Sequence, residues 1–550
     1  MLKDWLKNEI SSKYPDIEFD ILTPPDDKMG DYSINLAFVL AKKENKNPKE
    51  VAIKIAGDLL EDDKFKKDRW RIEEKNGFIN FYLSEDYLRN SLEEIVKEGE
   101  KFGDSKTGKG VKINLEFVSA NPTGPLTVGN ARAASFGDTL GNVLKKTGYG
   151  VTKEYYINDV GNQVNKLAES VRLRISELKG EKIEFGDDLY QGEYIKEIAK
   201  EFLEKNVSEK DIQNQAIKTM TDRAKSSTEK MGVVFDEWFL ESQLHESGEV
   251  KKVFTELESK GLVFDEDGAR WLKMDGDQKA TAFSHRFQRD HAKGSDGAPS
   301  KAGAVLVKSD GSTTYLANDI AYTKNKFERG FTSAINIWGA DHHGDVIRLK
   351  TGVAALGYDP DRLEILLHQL VVLKKDGELM RMSKRKGNIE TLDDLLSEVG
   401  KDAVRFFFLT RDLNTHMEFD IDLAKKQSKE NPVFYIQYAF ARLNSIFAKT
   451  QGTEAGKADR IKEDEELRLL KDLARFPEAV EGIAENYQVH QLAQYTLNLA
   501  GDFHKFYEKH HVIQENDAEL QSARLLLSQG VHTVLKICLN LMGITTPDRM

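Results

Sequence analysis

Residues 380–390 concentrate positive charge beside a small hydroxyl and a glycine. The groups concerned are Arg381, Ser383, Lys384, Arg385, Lys386 and Gly387. Cations this close together repel one another unless an anion lies among them. Such a loop suits a triphosphate that is neutralised briefly and then released, although a solvated basic turn is the alternative. The preceding aliphatic residues 370–373 predict a buried strand, and ligand sites of α/β proteins lie at strand ends.

A second stretch that suits a phosphate lies far upstream. Residues 111–117 alternate apolar and polar side chains, which predicts a half-buried strand, and the prolines and glycine of 121–125 end it. A helix is then predicted from Thr127, its cap, to the glycines at 148 and 150. Gly129 would let adenine or phosphate approach the backbone, and the helix N-terminus attracts an anion. An ordinary strand-turn-helix is the alternative, but the two stretches together favour an ATP site.

Length and composition limit the class of protein. A chain of 550 residues predicts several domains, and 39% hydrophobic residues can fill their cores. The net charge of −12 disfavours general nucleic-acid affinity without excluding a specific RNA. The single cysteine, Cys538, has helical spacing to apolar neighbours and predicts core packing. We expect a cytoplasmic protein with no membrane span, no zinc-ligand spacing and no secretion signal.

Three domains are expected. Residues 1–105 predict a small α/β unit, with a helix after Gly30 and a strand over 77–83. Residues 106–390 predict a nucleotide-binding domain with a charged helical insertion at about 165–300. Residues 391–550 predict a helical domain, in which Leu492, Tyr495, Leu499, Phe503 and Phe506 form one buried stripe. Residues 103–110 nearly spell a P-loop, but they lack the final Ser or Thr and precede their strand, so we reject that motif.

The two phosphate-suited stretches resemble the "HIGH" and "KMSKS" motifs of class I aminoacyl-tRNA synthetases. The sequence around them is similar to the arginyl-tRNA synthetase family in particular, and in the family's order. The matching segments are 116–125 (EFVSANPTGP), 154–163 (EYYINDVGNQ), 315–319 (YLAND), 338–343 (WGADHH) and 547–550 (PDRM). The resemblance implies a Rossmann-like catalytic domain, an N-terminal α/β domain that touches tRNA, and a C-terminal helical anticodon-binding domain.

The resemblance also assigns roles to residues of this chain. It implies catalytic roles for Thr127, Asn130, Arg381 and Lys384, and ATP contacts from Gly129, Gly339, Asp341, His343, Met382, Ser383 and Lys384. It implies that Glu116, Asn121, Tyr315, Asp319 and His342 bind arginine, and that Tyr435, Gln437, Tyr438 and Arg442 contact tRNA. Adjacent His342 and His343 could instead ligate a metal, but no third ligand has suitable spacing, and we expect none.

A guanidinium is planar and carries five donors, so its recognition requires carboxylates and an aromatic side chain. Tyr315 and Asp319 lie four residues apart and share one face if that segment is helical. On spacing alone they could equally be a packed aromatic beside a surface acid. In the C-terminal domain, aromatic stacking is a common way to read unpaired bases. For Phe434 and Tyr438, however, spacing favours core packing.

Two departures from the family pattern bear on activity. Thr127 and Asn130 stand where the family usually has histidines, and Arg381 stands where it usually has lysine. Asn130 can donate a hydrogen bond but cannot carry positive charge. We expect it to remain a transition-state donor, although a weakened paralogue that only binds tRNA is an alternative. A small-molecule adenylating enzyme of the same superfamily is a second alternative, which the helical 391–550 segment disfavours.

The implied reaction has two steps. The carboxylate of L-arginine attacks the α-phosphate of ATP, giving arginyl-adenylate and pyrophosphate, and the terminal ribose of tRNA(Arg) then takes the arginyl group. Mg²⁺ is expected on the nucleotide without a dedicated protein site. The family usually activates arginine only with tRNA bound, so pyrophosphate exchange without tRNA should be weak. We expect a monomer.

Overall fold

The computed structural model describes residues 2–24, 27–65, 69–203, 208–274, 303–380, 391–450, 455–514 and 516–550. Helices and strands are numbered along these ranges. Within them, no helix combines the length and apolar character that crossing a membrane requires.

The N-terminal part is a four-stranded antiparallel sheet with helices, as predicted. Its strands run in the order β1-β2-β4-β3. The helix expected after Gly30 and the strand expected over 77–83 are both confirmed, as α2 and β4. The elements are α1 (Leu2–Lys13), β1 (Ile21–Leu22), β2 (Tyr32–Ile34), α2 (Leu36–Glu44), α3 (Pro48–Leu60), β3 (Trp70–Lys75), β4 (Phe78–Leu83) and α4 (Glu85–Glu98).

The catalytic part is built on a five-stranded parallel sheet, which confirms the Rossmann-like fold class. Its order is β12-β11-β5-β6-β7, so the chain builds outward from β5 in one direction and later returns to extend the other edge. The strands are β5 (Lys112–Glu116), β6 (Gly150–Ile157), β7 (Glu237–Leu240), β11 (Ser333–Gly339) and β12 (Leu363–His368). The helix predicted after Thr127 is α5 (Val128–Lys146), and it packs against this sheet with a buried apolar face.

The insertion predicted as helical contains strands as well as helices. Three helices, α6 (Asn162–Leu178), α7 (Glu193–Lys200) and α8 (Glu209–Lys230), share a small core of their own. A helical pattern throughout is wrong after α8, because β7 completes the parallel sheet and strands of an antiparallel sheet follow two further helices. The later elements are α9 (Glu241–Glu246), α10 (Glu249–Ser259), β8 (Val263–Glu266), β9 (Ala269–Leu272), β10 (Ala304–Val307), α11 (Tyr315–Glu328) and α12 (His343–Ala355).

The strand predicted at 370–373 exists but is not fully buried. It is β13 (Val371–Lys375), which pairs with β14 (Glu378–Met380) and β15 (Met417–Asp420) in a separate three-stranded sheet. Val371 and Leu373 face inward, whereas Leu370 is 72% exposed. β15 also interrupts the helical run expected from residue 391 onward, because the chain returns to this sheet before it enters the C-terminal domain.

The C-terminal domain is a helical bundle, as predicted. The stripe from Leu492 to Phe506 faces its core, and Cys538 is fully buried, where burial raises the pKa of its thiol to about 12. Both observations confirm structural roles. The helices from residue 391 onward are α13 (Leu392–Val399), α14 (Lys401–Phe408), α15 (Ile421–Lys425), α16 (Pro432–Lys449), α17 (Asp464–Asn486), α18 (His490–Lys509) and α19 (Ala518–Leu541).

Candidate active site

The strand order defines one crevice at the carboxyl ends of β5 and β11. These strands pair in register, with Asn336 opposite Glu116, and they lie where the chain reverses its direction of sheet growth. Ligands of open α/β sheets bind at such switch points. Glu116 ends β5 and Gly339 ends β11, so two residues predicted for the site lie at this crevice.

A strained turn leads from β5 to α5. Val118 (φ 69°) and Ser119 (φ 40°) both adopt left-handed backbone, which costs about 1–3 kcal/mol per residue and is common at ligand sites. The Tyr155 hydroxyl holds the turn, because it donates to the Ala120 carbonyl (3.0 Å) and accepts from the Ala120 N–H (3.1 Å). Beyond it, the amide of Asn121 donates to Gln163 (2.8 Å).

The first turn of α5 orients Asn130. The Asn130 Oδ1 accepts from the Thr127 backbone N–H (2.8 Å) and from the Thr127 hydroxyl (2.9 Å). A backbone N–H can only donate, so the atom facing it must be the amide oxygen. Nδ2 therefore points away, and no described residue accepts a hydrogen bond from it. A Cβ placed on Gly129 would meet only the Thr127 hydroxyl, at 3.6 Å, so the protein itself leaves space there.

The chain is described again at Thr391, directly after the basic segment, and there it contacts this same turn. Arg381, Met382, Ser383 and Lys384 lie outside the described residues, but the residue that follows the segment, Thr391, forms an antiparallel β-bridge with Thr127. The Leu392 N–H donates to the Leu126 carbonyl (2.8 Å). Buried Arg132 of α5 adds a second link, since it donates to the carbonyls of Gln369, Asp412 and Thr415, which flank the small sheet.

Carboxylates converge beside the crevice. Asp319 lies one turn after Tyr315 on α11, and the helical geometry places both on one face. Tyr315 is 61% exposed and Asp319 is half-buried, which excludes the alternative of a packed aromatic beside a surface acid. Burial, together with the charges of Glu116, Glu241 and Asp345, raises the pKa of Asp319 to about 8, against the opposing charge of Lys326.

Glu241 belongs to this group although no sequence feature singled it out. It begins α9, only 3% of it is exposed, and its Oε1 accepts from the Asn318 amide (2.5 Å). Burial raises the pKa of Glu241 above its usual range, and Tyr156 lies beside it. The cluster therefore contains two partly desolvated carboxylates and two tyrosines.

Glu116 has an internal partner. Its Oε2 accepts from the Lys326 ammonium (2.6 Å), and both side chains are buried. The neighbouring Glu154 is held by a bidentate pair with Arg329 (2.6 and 2.8 Å) and by the Tyr322 hydroxyl. Glu116 and Glu154 are thus each matched by a cation, from α11 and from the residue after it.

The end of β11 carries the remaining predicted residues. Asp341 and His342 form a short 3₁₀ turn, and His343 begins α12. The Asp345 carboxylate lies 3.4 Å from His342 Nδ1 and raises the pKa of that imidazole. A Cβ on Gly339 would lie too close to the Asp341 carboxylate, so a side chain there would require that exposed carboxylate to move. Among the described residues, no three His, Cys, Asp or Glu side chains are grouped to hold a metal ion.

Three of the four residues predicted to contact tRNA share one face of α16. The Arg442 guanidinium lies over the rings of Tyr438 and Tyr507, each at 4.6 Å, and His504 packs on Tyr435 at 4.4 Å. Tyr438 is 40% exposed, so its predicted place in the core is wrong.

Gln437 lies elsewhere on α16. Its amide donates to Asp402 (2.8 Å) and to the Thr545 carbonyl (3.0 Å), which ties it to α14 and to the C-terminal segment.

Sequence reasoning missed Lys326, Tyr322 and Glu241. A signal for the first two was present, because Tyr315, Asp319, Tyr322 and Lys326 recur at spacings of four, three and four along one helix face. Glu241 carried no local signal, since only the order of strands in the sheet brings α9 beside α11.

The parallel sheet, its switch-point crevice and the helical bundle agree with a comparison to family models. The model described as "tRNA synthetases class I (R), catalytic domain" matches residues 91–418. The fold and the site therefore define a class I aminoacyl-tRNA synthetase.

The flanking domains and the relatives define the family. The model "Arginyl tRNA synthetase N terminal domain" matches residues 1–83 and "DALR anticodon binding domain" matches residues 436–550. An arginine–tRNA ligase of Carboxydothermus hydrogenoformans is 42% identical, over 97% of this chain and 95% of the relative. One from Bacillus velezensis is 41% identical, over 100% and 99%. The chain belongs to the arginyl-tRNA synthetase family.

A solved structure shows the same fold. The arginyl-tRNA synthetase of Thermus thermophilus superposes with a TM-score of 0.76 over all of both chains, at 22% identity.

The activity is that of an arginine–tRNA ligase, which activates L-arginine with ATP and transfers it to tRNA(Arg). None of these relatives supports the alternative of a non-catalytic tRNA-binding paralogue.

Proposed function

We propose that Asp319 and Glu241 bind the guanidinium of arginine, with Tyr315 covering it. The observation that carries this proposal is the convergence of two partly desolvated carboxylates at the β5–β11 crevice. A cation entering the cluster would offset the burial and the repulsion that raise the pKa of Asp319, because opposite charge favours the ionised carboxylate. Charge-assisted hydrogen bonds to a planar fork would then select arginine.

His342 and Asn121 are proposed to contact the other end of arginine. The contact with Asp345 raises the pKa of His342, and a protonated imidazole would suit a carboxylate partner. Asn121 lies on the strained turn that also leads to Thr127, so the α-carboxylate of arginine would face the phosphate site. This arrangement supports attack in line on the α-phosphate.

ATP is proposed to bind between the first turn of α5 and the end of β11. The first N–H groups of a helix lack intrahelical partners and favour an anion, and Gly129 leaves space beside them. Gly339, Asp341 and His343 would contact adenine and ribose. Arg381, Met382, Ser383 and Lys384 follow β14, and the Thr127–Thr391 bridge supports their placement over the phosphates.

No covalent enzyme intermediate is needed for adenylate formation. The arginine carboxylate oxygen bonds to the α-phosphorus while the bond to the β-phosphate oxygen breaks, and pyrophosphate leaves with its electron pair. Asn130 Nδ2 would donate to the phosphoryl oxygens as charge builds there, and Arg381 and Lys384 would stabilise the pyrophosphate. Mg²⁺ would arrive on the triphosphate, where it neutralises charge.

In the second step the ribose hydroxyl of tRNA(Arg) attacks the carbonyl of arginyl-adenylate and AMP leaves. The surface of Tyr435, Tyr438 and Arg442 is proposed to contact the anticodon loop, because it offers exposed aromatic area beside a guanidinium.

One chain holds every proposed residue, so we propose a functional monomer. A tRNA substrate and a single buried thiol fit the cytoplasm.

The test compares two acids of the same short helix. Glu241→Gln should raise the KM for arginine about 10–100-fold, since a hydrogen bond to a charged group contributes about 1.5–3 kcal/mol. Glu246→Gln, on the exposed side of α9, is the matched control and should leave it unchanged. Aminoacylation of tRNA(Arg) at varied arginine measures both. Equal KM values for arginine in the two variants would show that Glu241 does not bind the substrate.

A further inference from the structure

Lys326 is a fully buried cation with two hydrogen-bond acceptors and an aromatic ring around its ammonium. Its ammonium donates to Glu116 Oε2 (2.6 Å) and to Asn336 Oδ1 (2.8 Å), and it lies 4.2 Å from the centre of the Tyr322 ring. Its side chain is 0% exposed and that of Glu116 is 6% exposed. A buried charge is tolerated only when it is paired and hydrogen-bonded, and this one is.

The pair lies next to the pocket proposed for arginine. Lys326 is two helical turns after Asp319 on the same face of α11, and Glu116 reaches the same space from the end of β5. Both charges act on Asp319, in opposite directions. The pair therefore influences the electrostatic potential in the pocket proposed for the guanidinium. Its own charged groups are hydrogen-bonded to each other.

We propose that Glu116 and Lys326 form an internal ion pair behind the arginine pocket, and that Lys326 is a positioning residue. By giving Glu116 a counterion, Lys326 leaves Asp319 and Glu241 as the carboxylates that receive the substrate. Glu116 then orients α11 against β5 instead of binding the guanidinium directly. This inference depends on the pocket of Asp319 and Glu241 proposed above.

The rival role is direct binding of the guanidinium by Glu116, which the family resemblance implies. A double-mutant cycle separates the two roles. If Glu116 exists to balance Lys326, then Glu116→Gln leaves an unmatched buried cation beside Asp319, which repels arginine. Removing that cation as well should restore the pocket, because replacing both members of a buried pair is tolerated far better than removing one.

The variants are Glu116→Gln, Lys326→Met and the double variant. The readouts are the KM for arginine and the KM for ATP in aminoacylation, with thermal unfolding of each protein. We expect Glu116→Gln to raise the KM for arginine at least tenfold, and the double variant to return to within about threefold of the original protein. The KM for ATP should stay unchanged throughout, which a general loss of structure would not permit.

A double variant with a KM for arginine still raised tenfold or more would overturn the proposal, because the carboxylate itself would then be needed. An unchanged KM in Glu116→Gln would overturn it too. If Glu116→Gln does not fold, the KM for arginine of the double variant alone tests the proposal. A value within about threefold of the original protein supports it, and a value raised tenfold or more overturns it.

Asp319→Asn distinguishes failure of the pocket from failure of the pair. Its raised KM for arginine should not be rescued by adding Lys326→Met. An unchanged KM in Asp319→Asn would refute the pocket assignment whatever the pair does.

Discussion

Thr127 and Thr391 form an antiparallel bridge that joins the start of α5 to the start of α13. The bridge holds Thr391, the residue that follows the basic segment in sequence, at the turn that carries Asn130. Thr391 also caps α13, since its hydroxyl accepts from the Asp394 N–H (3.1 Å). Thr391 thus both caps a helix and contacts the phosphate-suited turn.

Thr391→Ala should therefore lower both stability and turnover. Loss of an N-cap costs about 1 kcal/mol. If all of this free energy is lost from the catalytically competent position of the bridge, the population of that position falls roughly fivefold. We expect kcat for aminoacylation to fall by about that factor, with the KM for arginine unchanged. Ser208→Ala is the matched control, because Ser208 and Asp211 form an equivalent cap on α8. An equal loss of kcat in both variants would contradict a role for the bridge.

Asn130→Asp tests the transition-state donor without disturbing the helix cap. The aspartate keeps an oxygen facing Thr127, and a carboxylate at a helix N-terminus is stabilising. It replaces the outward Nδ2 donor with an acceptor that repels phosphate. Removing one such donor typically costs about 10²–10³ in kcat. Single-turnover adenylate formation should show this loss while the melting temperature holds or rises, and an unchanged rate would exclude Asn130 from catalysis.

The KM for arginine should fall as pH rises from 6 to 9. Asp319 must be ionised to pair with a guanidinium, and its pKa in the empty pocket is raised to about 8 by burial and by Glu116, Glu241 and Asp345, with Lys326 opposing them. Asp319→Asn should remove this dependence. A pH-independent KM in the unaltered protein would show that Asp319 does not govern binding.

The same pKa predicts how stability without substrate depends on pH. A carboxyl group with a raised pKa holds its proton in the folded state after the unfolded chain has released it. Between about pH 4 and pH 8 the folded state binds more protons, so this group's contribution to stability declines as pH rises. The melting temperature without arginine should fall across this range more in the unaltered protein than in Asp319→Asn.

Tyr438→Ala should weaken tRNA binding while arginine and ATP binding stay intact. Stacking on an aromatic side chain contributes about 1–3 kcal/mol per base, so the KM for tRNA(Arg) should rise roughly 5–150-fold. Gln437→Ala is the contrasting variant on the same helix. Its amide joins Asp402 and Thr545, and we expect it to lower the melting temperature and leave the KM for tRNA unchanged. If Gln437→Ala raised the KM for tRNA and Tyr438→Ala only lowered the melting temperature, Gln437 would be the tRNA contact and Tyr438 the structural residue.

The sequence by itself determined several features that depend on near neighbours along the chain. The alternation at 111–117, the cap at Thr127 and the apolar stripe from Leu492 to Phe506 are local patterns, and each produced the expected element, although β5 is buried on both faces where a half-buried strand was predicted. The wording of the motifs was enough to identify the family. These predictions succeeded because helix and strand periodicity constrain which residues share a face.

Only the tertiary structure decided which distant groups meet. Lys326 reaches Glu116 because β11 pairs with β5, and Glu241 joins Asp319 because β7 completes the same sheet. The sequence also failed to predict three other features. These are the strand β7 inside a segment predicted as helical, the exposure of Tyr438 and the hydrogen bonds of Gln437 to other elements. Contacts between separate elements depend on strand order and packing, and no spacing along one element contains that information.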